Sequence, residues 1–342
     1  MRIHILALLL FFQSFVACQQ DQGKTQSAAA SLAFQPPAVS WQGPEKKPLT
    51  ASNIIFQSVD GGQTWQDVST GLPEKLGVGR VFADLNDVYL STEGGLYHRS
   101  TALVAPVWEK EVFLEEEITD VFPGQNGLFV SSYRNGFFKG IPGTGIWNAM
   151  HNALEDKTVR TVLETPDGSV FVGCETGIFK SSDGGKTWKH VFSGEGVNSF
   201  AMSGNVLICG NYSGLMRSTD GGEHWDWVMT GNGSAFKTKR IEGGFITIAA
   251  PGTWQEGRPN RLYTSTDGGK TWQQLQGLPL VREIYDIEQA GKYFFCSTDT
   301  GISRSSDGGK TWELVRARGD EKQMIDLAVS GQVVFAVLVF GC

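Results

Sequence analysis

The chain has 342 residues, 40% of them hydrophobic, with 10 Trp and 21 Phe, enough apolar material to bury a large core rather than stay unfolded. Lys and Arg total 29 against 36 Asp and Glu, a net charge of −7 with no basic run, which argues against a nucleic-acid partner. The five cysteines form no C-x-x-C pair and stand at no zinc-like spacing from a histidine, so neither a metal nor another cofactor is expected.

At the N-terminus Arg2 precedes an apolar stretch that runs to Ala17, too short to span a bilayer as a stable helix. Residues 1–17 therefore read as an export signal. Phe15 is bulky for ordinary cleavage after Ala17, whereas Val16-Ala17-Cys18 following an apolar residue resembles the lipobox of bacterial lipoproteins. That resemblance implies a lipid on Cys18 and a place at the bacterial cell envelope, at the outer membrane, on its periplasmic or its surface side. The alternative is a simple secreted protein with a chance cysteine. Residues 18–50, rich in Gln, Ala, Ser, Pro and Lys, read as a flexible tether to a folded domain over residues 51–342.

That domain is built from a repeat. Near-copies of Ser-x-Asp-Gly-Gly-x-Thr-Trp start at Ser58, Ser181, Ser218, Ser265 and Ser305, the third with His224 in place of Thr. Aligning on the closing Trp gives Trp65, Trp108, Trp147, Trp188, Trp225, Trp272 and Trp312, spaced 37 to 47 residues apart. The second and third units are degenerate. Each unit has an apolar run upstream of the octapeptide, such as Val170 to Cys174, and a hairpin dipeptide before that, such as Asn126-Gly127 or Asp167-Gly168. Four short antiparallel strands per unit follow. The last unit stops after its second strand and the first begins at its third, so the two halves complete one another. The expectation is an all-β, seven-bladed β-propeller closed by pairing of the C-terminal and N-terminal strands, with no sheet edge left open.

Asp-Gly-Gly supplies a carboxylate for its own turn and glycines that tolerate positive φ, while Trp buries a large ring: the needs of a hairpin, not of catalysis. The octapeptide resembles the Asp-box, or BNR repeat, of sialidases, other glycoside hydrolases, sortilin-type receptors and photosystem II assembly-factor propellers. The resemblance covers residues 52–342. It implies that Asp60, Asp183, Asp220, Asp267 and Asp307 are structural, since the Asp-box of those families lies away from any active site. The sialidase pattern itself is not met. No Arg lies between Cys18 and Ser58 where those enzymes carry their first substrate arginine, and they have six blades. A basic stripe on the third strands, His98, Lys139, Lys180, Arg217 and Arg304, reads as long stems packed between blades with their charges in water.

Propellers of this kind work through the face made by second-to-third-strand turns and inter-blade loops. At those turns stand Glu93, Arg134, Glu175, Tyr212, Pro259 and Asp299. Near the start of the innermost strands stand Arg80, Asp120, Thr161, Ser199, Arg240, Asp286 and Asp326, which places them at a central channel. An insertion at residues 251–260 brings Trp254 and Arg258 to the same rim, residue types that dominate interface energetics. Cys174, Cys209 and Cys296 each sit in an apolar strand and read as buried hydrophobes. Cys342 has no assigned role.

Two readings of function follow. One is a non-catalytic, lipid-anchored, monomeric envelope propeller that binds a protein partner or glycan through Arg80, Arg134, Tyr212, Arg240, Trp254, Arg258, Asp286 and Asp326. The other is an extracellular glycoside hydrolase using two of Glu93, Glu175 and Asp299 as its carboxylate pair.

Overall fold

In a computed structural model, the residues described are 53–74, 76–101, 107–111, 118–132, 136–141, 143–230, 233–250, 259–279, 281–319 and 323–340. Residues 50–340 form one compact unit. Cys18, the stretches read as signal and tether, and Cys342 lie outside the described residues.

All regular structure among the described residues is β, in seven four-stranded antiparallel sheets. Blades 1 to 6 run inside to outside in chain order. Their innermost strands are Val78–Ala83, Ile118–Gly124, Thr161–Glu164, Val197–Ser203, Ala235–Ile241 and Ile284–Ala290. Blade 7 is composite: Gln323–Ser330 and Val333–Phe340 from the C-terminus are completed by Ile55–Ser58 and Gln66–Asp67 from the N-terminus. The join is in register, Ile55 opposite Val337 and Ser58 opposite Val334. Each innermost strand touches the next around the ring, including the step from blade 7 back to blade 1. The chain is a closed seven-bladed β-propeller.

The core lies between blades rather than within them. Second strands are buried on both faces, as in Val170–Cys174, so their sequences read as unbroken apolar runs rather than alternations. Phe122, Phe129 and Phe137 of blade 2 interlock with Val162, Val170, Val172 and Phe179 of blade 3. Ile246, Ile248 and Leu262 of blade 5 pack on Ile284, Ile287 and Phe294 of blade 6 in the same way. Cys174, Cys209 and Cys296 are free thiols buried in these seams, as their apolar surroundings imply.

The octapeptides close the outer hairpins. Asp60 takes hydrogen bonds from the Thr64 N–H at 3.0 Å, the Thr64 hydroxyl at 2.6 Å and the Ser58 hydroxyl at 2.9 Å. These bonds, led by those of Thr64 and of Thr187 in the third-blade copy, hold the Asp60 and Asp183 carboxyls down to about 2. His224 replaces the threonine hydroxyl with Nδ1, 2.6 Å from Asp220. The second box glycine has positive φ and faces the preceding blade. A Cβ on Gly62 (φ 87°) would sit 2.7 Å from the Phe295 ring.

The stems of the basic stripe pack between blades as expected, but the heads of Lys139, Lys180, Arg217 and Arg304 are not left in water: they find acceptors across the seams. Lys139 reaches Glu164 of the next blade at 2.6 Å, Lys180 reaches Glu223 at 2.6 Å, and Arg217 donates to the Gly268 carbonyl at 2.8 Å. Arg304 donates to the Gly61 carbonyl across the blade 6–blade 7 seam.

Candidate functional site

Seven innermost strands surround a channel of 1460 Å³. Their sequences begin with an apolar-x-polar triplet, Val78-Gly79-Arg80, Ile118-Thr119-Asp120, Val197-Asn198-Ser199, Ala235-Phe236-Lys237 and Ile284-Tyr285-Asp286. In each of these five the pairing slips between the first and third residue, a bulge that re-aims the third side chain. Pairing with the second strands puts Arg80, Asp120, Thr161, Ser199, Lys237, Asp286 and Asp326 at one level, one per blade. In blade 5 the residue at that level is Lys237. Arg240, expected there from sequence, stands three residues further along, exposed, and lines the channel from that depth.

Five of the seven positions are charged and contiguous around the ring. Lys237 Nζ lies 2.8 Å from Asp286 and 2.6 Å from Asp326, so it spans blades 5, 6 and 7. Lys239 Nζ lies 2.8 Å from Asp286 and also contacts Glu288. Arg80 donates to Asp326 at 3.1 Å and stands 3.7 Å from Asp120. Two of the aspartates also latch blades through the backbone. Asp286 accepts the Leu327 N–H of blade 7 at 3.1 Å, and Asp326 accepts the Val81 N–H of blade 1 at 3.0 Å. Both are nearly sealed, 1% and 4% exposed.

Burial would raise Asp286, but Lys237 and Lys239 overcome it and hold the carboxyl far below the ordinary carboxylate range. Asp120 goes the other way. Burial pushes it up to about 6 against the pull of Arg80, and Asp326 adds to the rise. Burial also raises Glu288 despite Lys239 beside it. Asp326, ahead of Asp120, holds the Arg80 guanidinium firmly charged against burial.

The other side of the mouth, at the starts of blades 3, 4 and 5, carries a row of hydrogen-bonded side chains. Glu175, in the turn between the second and third strands of blade 3, receives Arg160 Nε at 2.9 Å as well as Nη2. Arg160 Nη1 donates to Asn198 Oδ1 at 3.4 Å, and Asn198 Nδ2 donates to Ser234 Oγ at 3.4 Å and the Ala235 carbonyl at 3.2 Å. The Arg160 guanidinium stands 5.2 Å from the centre of the Tyr212 ring, which is 37% exposed.

Glu93, Glu175 and Asp299 occupy turns of three different blades. Glu93 is exposed, its side chain lying over Gly77. Glu175 is paired with Arg160. Asp299 accepts the Arg282 N–H at 3.1 Å within its own blade's approach loop, while Arg318 Nη1 donates to its carbonyl at 3.2 Å. No hydrogen bond or shared cation joins any two of the three among the described residues. Pro259 lines the channel beside Asn260, which exchanges hydrogen bonds with both polar backbone atoms of Ile284 at 2.7 and 2.9 Å. Arg134, Trp254 and Arg258 lie outside the described residues. Among the described residues no group of three or more His, Cys, Asp or Glu side chains is placed to hold a metal ion.

Lys237, Lys239, Glu288, Arg160 and Asn198 join the site without having been singled out from sequence. The apolar-x-polar triplet would have found Lys237. Arg160 and Asn198 occupy the middle of the same triplet, as Val159-Arg160-Thr161 and Val197-Asn198-Ser199.

The BNR/Asp-box repeat family matches residues 263–274 and the BNR-Asp box repeat family residues 178–191. Both segments run from a third strand through the octapeptide turn. No curated protein matches the chain by sequence. Among solved structures, the extracellular domain of a putative one-component system from B. thetaiotaomicron superposes with a TM-score of 0.60 at 12% identity, over 86% of this chain and 40% of that one. A GH74 xyloglucanase from Xanthomonas campestris gives 0.54 at 16%, over 73% of this chain and 49% of that one. PorZ, an essential bacterial surface component of the type-IX secretion system of Porphyromonas gingivalis, gives 0.56 at 12%, over 78% and 36%. This chain thus spans less than half the length of each. It is a β-propeller bearing BNR/Asp-box repeats, and its structural neighbours share its fold while differing in role.

Proposed function

We propose that the chain is a non-catalytic envelope propeller, lipid-anchored through Cys18, whose loop-rich face binds a protein partner or glycan. The observation that carries this reading is the state of the three rim carboxylates. A glycosidase needs two carboxyl groups flanking one bond, about 5 to 10 Å apart, one to give and take a proton and the other to act as nucleophile or base. Glu175 is instead neutralised by Arg160, Asp299 caps a backbone N–H, and Glu93 stands in a third blade. The channel carboxylates Asp120, Asp286, Asp326 and Glu288 are likewise engaged, by Arg80, Lys237, Lys239 and backbone N–H groups, where they hold blades together. Structural neighbours that are an extracellular domain and a bacterial surface component accord with an exported protein.

The hydrolase alternative is tested by incubating the purified protein with a panel of polysaccharides and measuring reducing ends. The binding reading expects none above background. Product release that disappears in Glu93→Gln, Glu175→Gln or Asp299→Gln would overturn it. For the anchor, Cys18→Ser is expected to move the protein from the membrane to the soluble fraction of the host envelope; an unchanged distribution would contradict lipidation.

A further inference from the structure

We infer that the mouth sector shared by blades 3, 4 and 5 is a subsite for a neutral, hydroxyl-rich ligand, a glycan, with Arg160, Glu175, Asn198 and Tyr212 as its recognition groups. The inference rests on the binding reading above and names the ligand class.

Charge compensation selects the chemistry. Among the blade 5, 6, 7, 1 and 2 groups at the mouth level, Arg80, Lys237 and Lys239 are already engaged by Asp120, Asp286, Asp326 and Glu288, so a charged ligand there would have to displace partners that are largely shut off from water, while Arg240 stands three residues further along. In the blade 3–5 sector the Arg160–Glu175 pair sets a cation and an anion side by side. An anionic ligand drawn to Arg160 meets Glu175, and a cationic one drawn to Glu175 meets Arg160. A hydroxyl, both donor and acceptor, satisfies each. The pair retains that capacity. The contacts to Glu175 and Asn198 use three of the five guanidinium N–H donors and Tyr212 takes another, which leaves one, and Arg160 engages Oε1 of Glu175 while Oε2 is directed toward Gly196. Vicinal hydroxyls of a sugar ring match such an adjacent donor and acceptor.

A further observation points to the same place. The mouth is open where Tyr212 stands, and its ring edge and Glu175 Oε2 come together because residue 196 is glycine. A Cβ there would sit 2.7 Å from Tyr212 Cε2 and 2.9 Å from Glu175 Oε2. The amphipathic ring beside a planar polar pair suits the mixed apolar and hydroxyl faces of a sugar.

The test is titration calorimetry of the purified full chain with cellohexaose, mannohexaose, xyloglucan oligosaccharides and, as the acidic comparator, oligogalacturonate. At least one neutral oligosaccharide is expected to bind more tightly than oligogalacturonate. Arg160→Ala and Tyr212→Ala should each weaken it at least tenfold, and Lys186→Ala on the opposite, Asp-box face should leave it unchanged. Asn198→Ala serves as a third variant if either of the first two melts below the wild type. No binding of any neutral member, a preference for oligogalacturonate, or equal affinity in folded variants would overturn the inference. Capture of one defined envelope protein that is lost in Arg160→Ala, with no glycan bound, would remove the ligand class while leaving the mouth as the binding face. If neither glycan nor protein binding responds to the mouth variants, the wider reading falls as well.

Discussion

Asp120 and Asp286 stand at equivalent positions of blades 2 and 6, yet their neighbours drive them in opposite directions. Asp286 lies between two lysines and is held ionised, so its contribution is present above the unfolded pKa of about 4 and is lost as pH falls through its depressed folded value. Asp286→Asn takes one of two carboxylate partners from each of Lys237 and Lys239 at a site that is 1% exposed, and a loss of about 1.5–3 kcal/mol in denaturant unfolding is expected. A neutral result would show that the latch across blades 5 to 7 carries no stability. Asp120 is the reverse case. Its folded pKa of about 6 lies above the unfolded value, so the folded state keeps a proton that the unfolded chain has released, and stability falls as pH rises between about 4 and 6. Asp120→Asn should therefore raise Tm at pH 7.5 by about 2–4 °C and give no gain at pH 4. A lower Tm at pH 7.5 would mean that the Arg80 contact outweighs burial.

Two glycines of the Asp-box turns separate the local from the inter-blade role of this element. Gly184 has φ of 74° and open space within 4 Å of where a Cβ would stand, so Gly184→Ala costs only backbone strain, about 1 kcal/mol. Gly222 has φ of 81° and its added Cβ would collide with the Phe171 ring of the preceding blade, so Gly222→Ala is expected to cost about 2–4 kcal/mol. Equal losses in thermal melts would contradict the seam. The octapeptides were legible because every box residue has a local task, seen in Ser58, Asp60 and Thr64 closing one turn. The stripe was equally legible, since Lys139, Lys180, Arg217 and Arg304 recur at one offset. Blade 5 was harder. Its inner strand carries Lys237, Lys239 and Arg240 within four residues, three cations among which composition does not choose, and the bulge after Ala235 is what puts Lys237 at the shared level. A bulge inserts a residue without changing composition, and only the triplet pattern betrays it.

For the molecule as a whole, blade number and closure could be read from Trp spacing and from the split final unit, because a ring has to complete itself with whatever strands its ends supply. What could not be read was which polar groups meet across blades. Arg160 and Asn198 are 38 residues apart in sequence and Lys237 and Asp326 are 89, distances bridged only by the curvature of the ring. The same curvature divides the mouth into a self-compensated charged arc and a sector of planar polar groups around Tyr212, and it keeps Glu93, Glu175 and Asp299 in separate turns. Binding without turnover is the central claim for that mouth. The most direct measurement is recovery of the tightest-binding oligosaccharide from the titration after prolonged incubation with stoichiometric protein, sized by mass spectrometry. Ligand returned at its original length is the predicted result, and shortened ligand that is absent when Glu175→Gln replaces the wild type would contradict it.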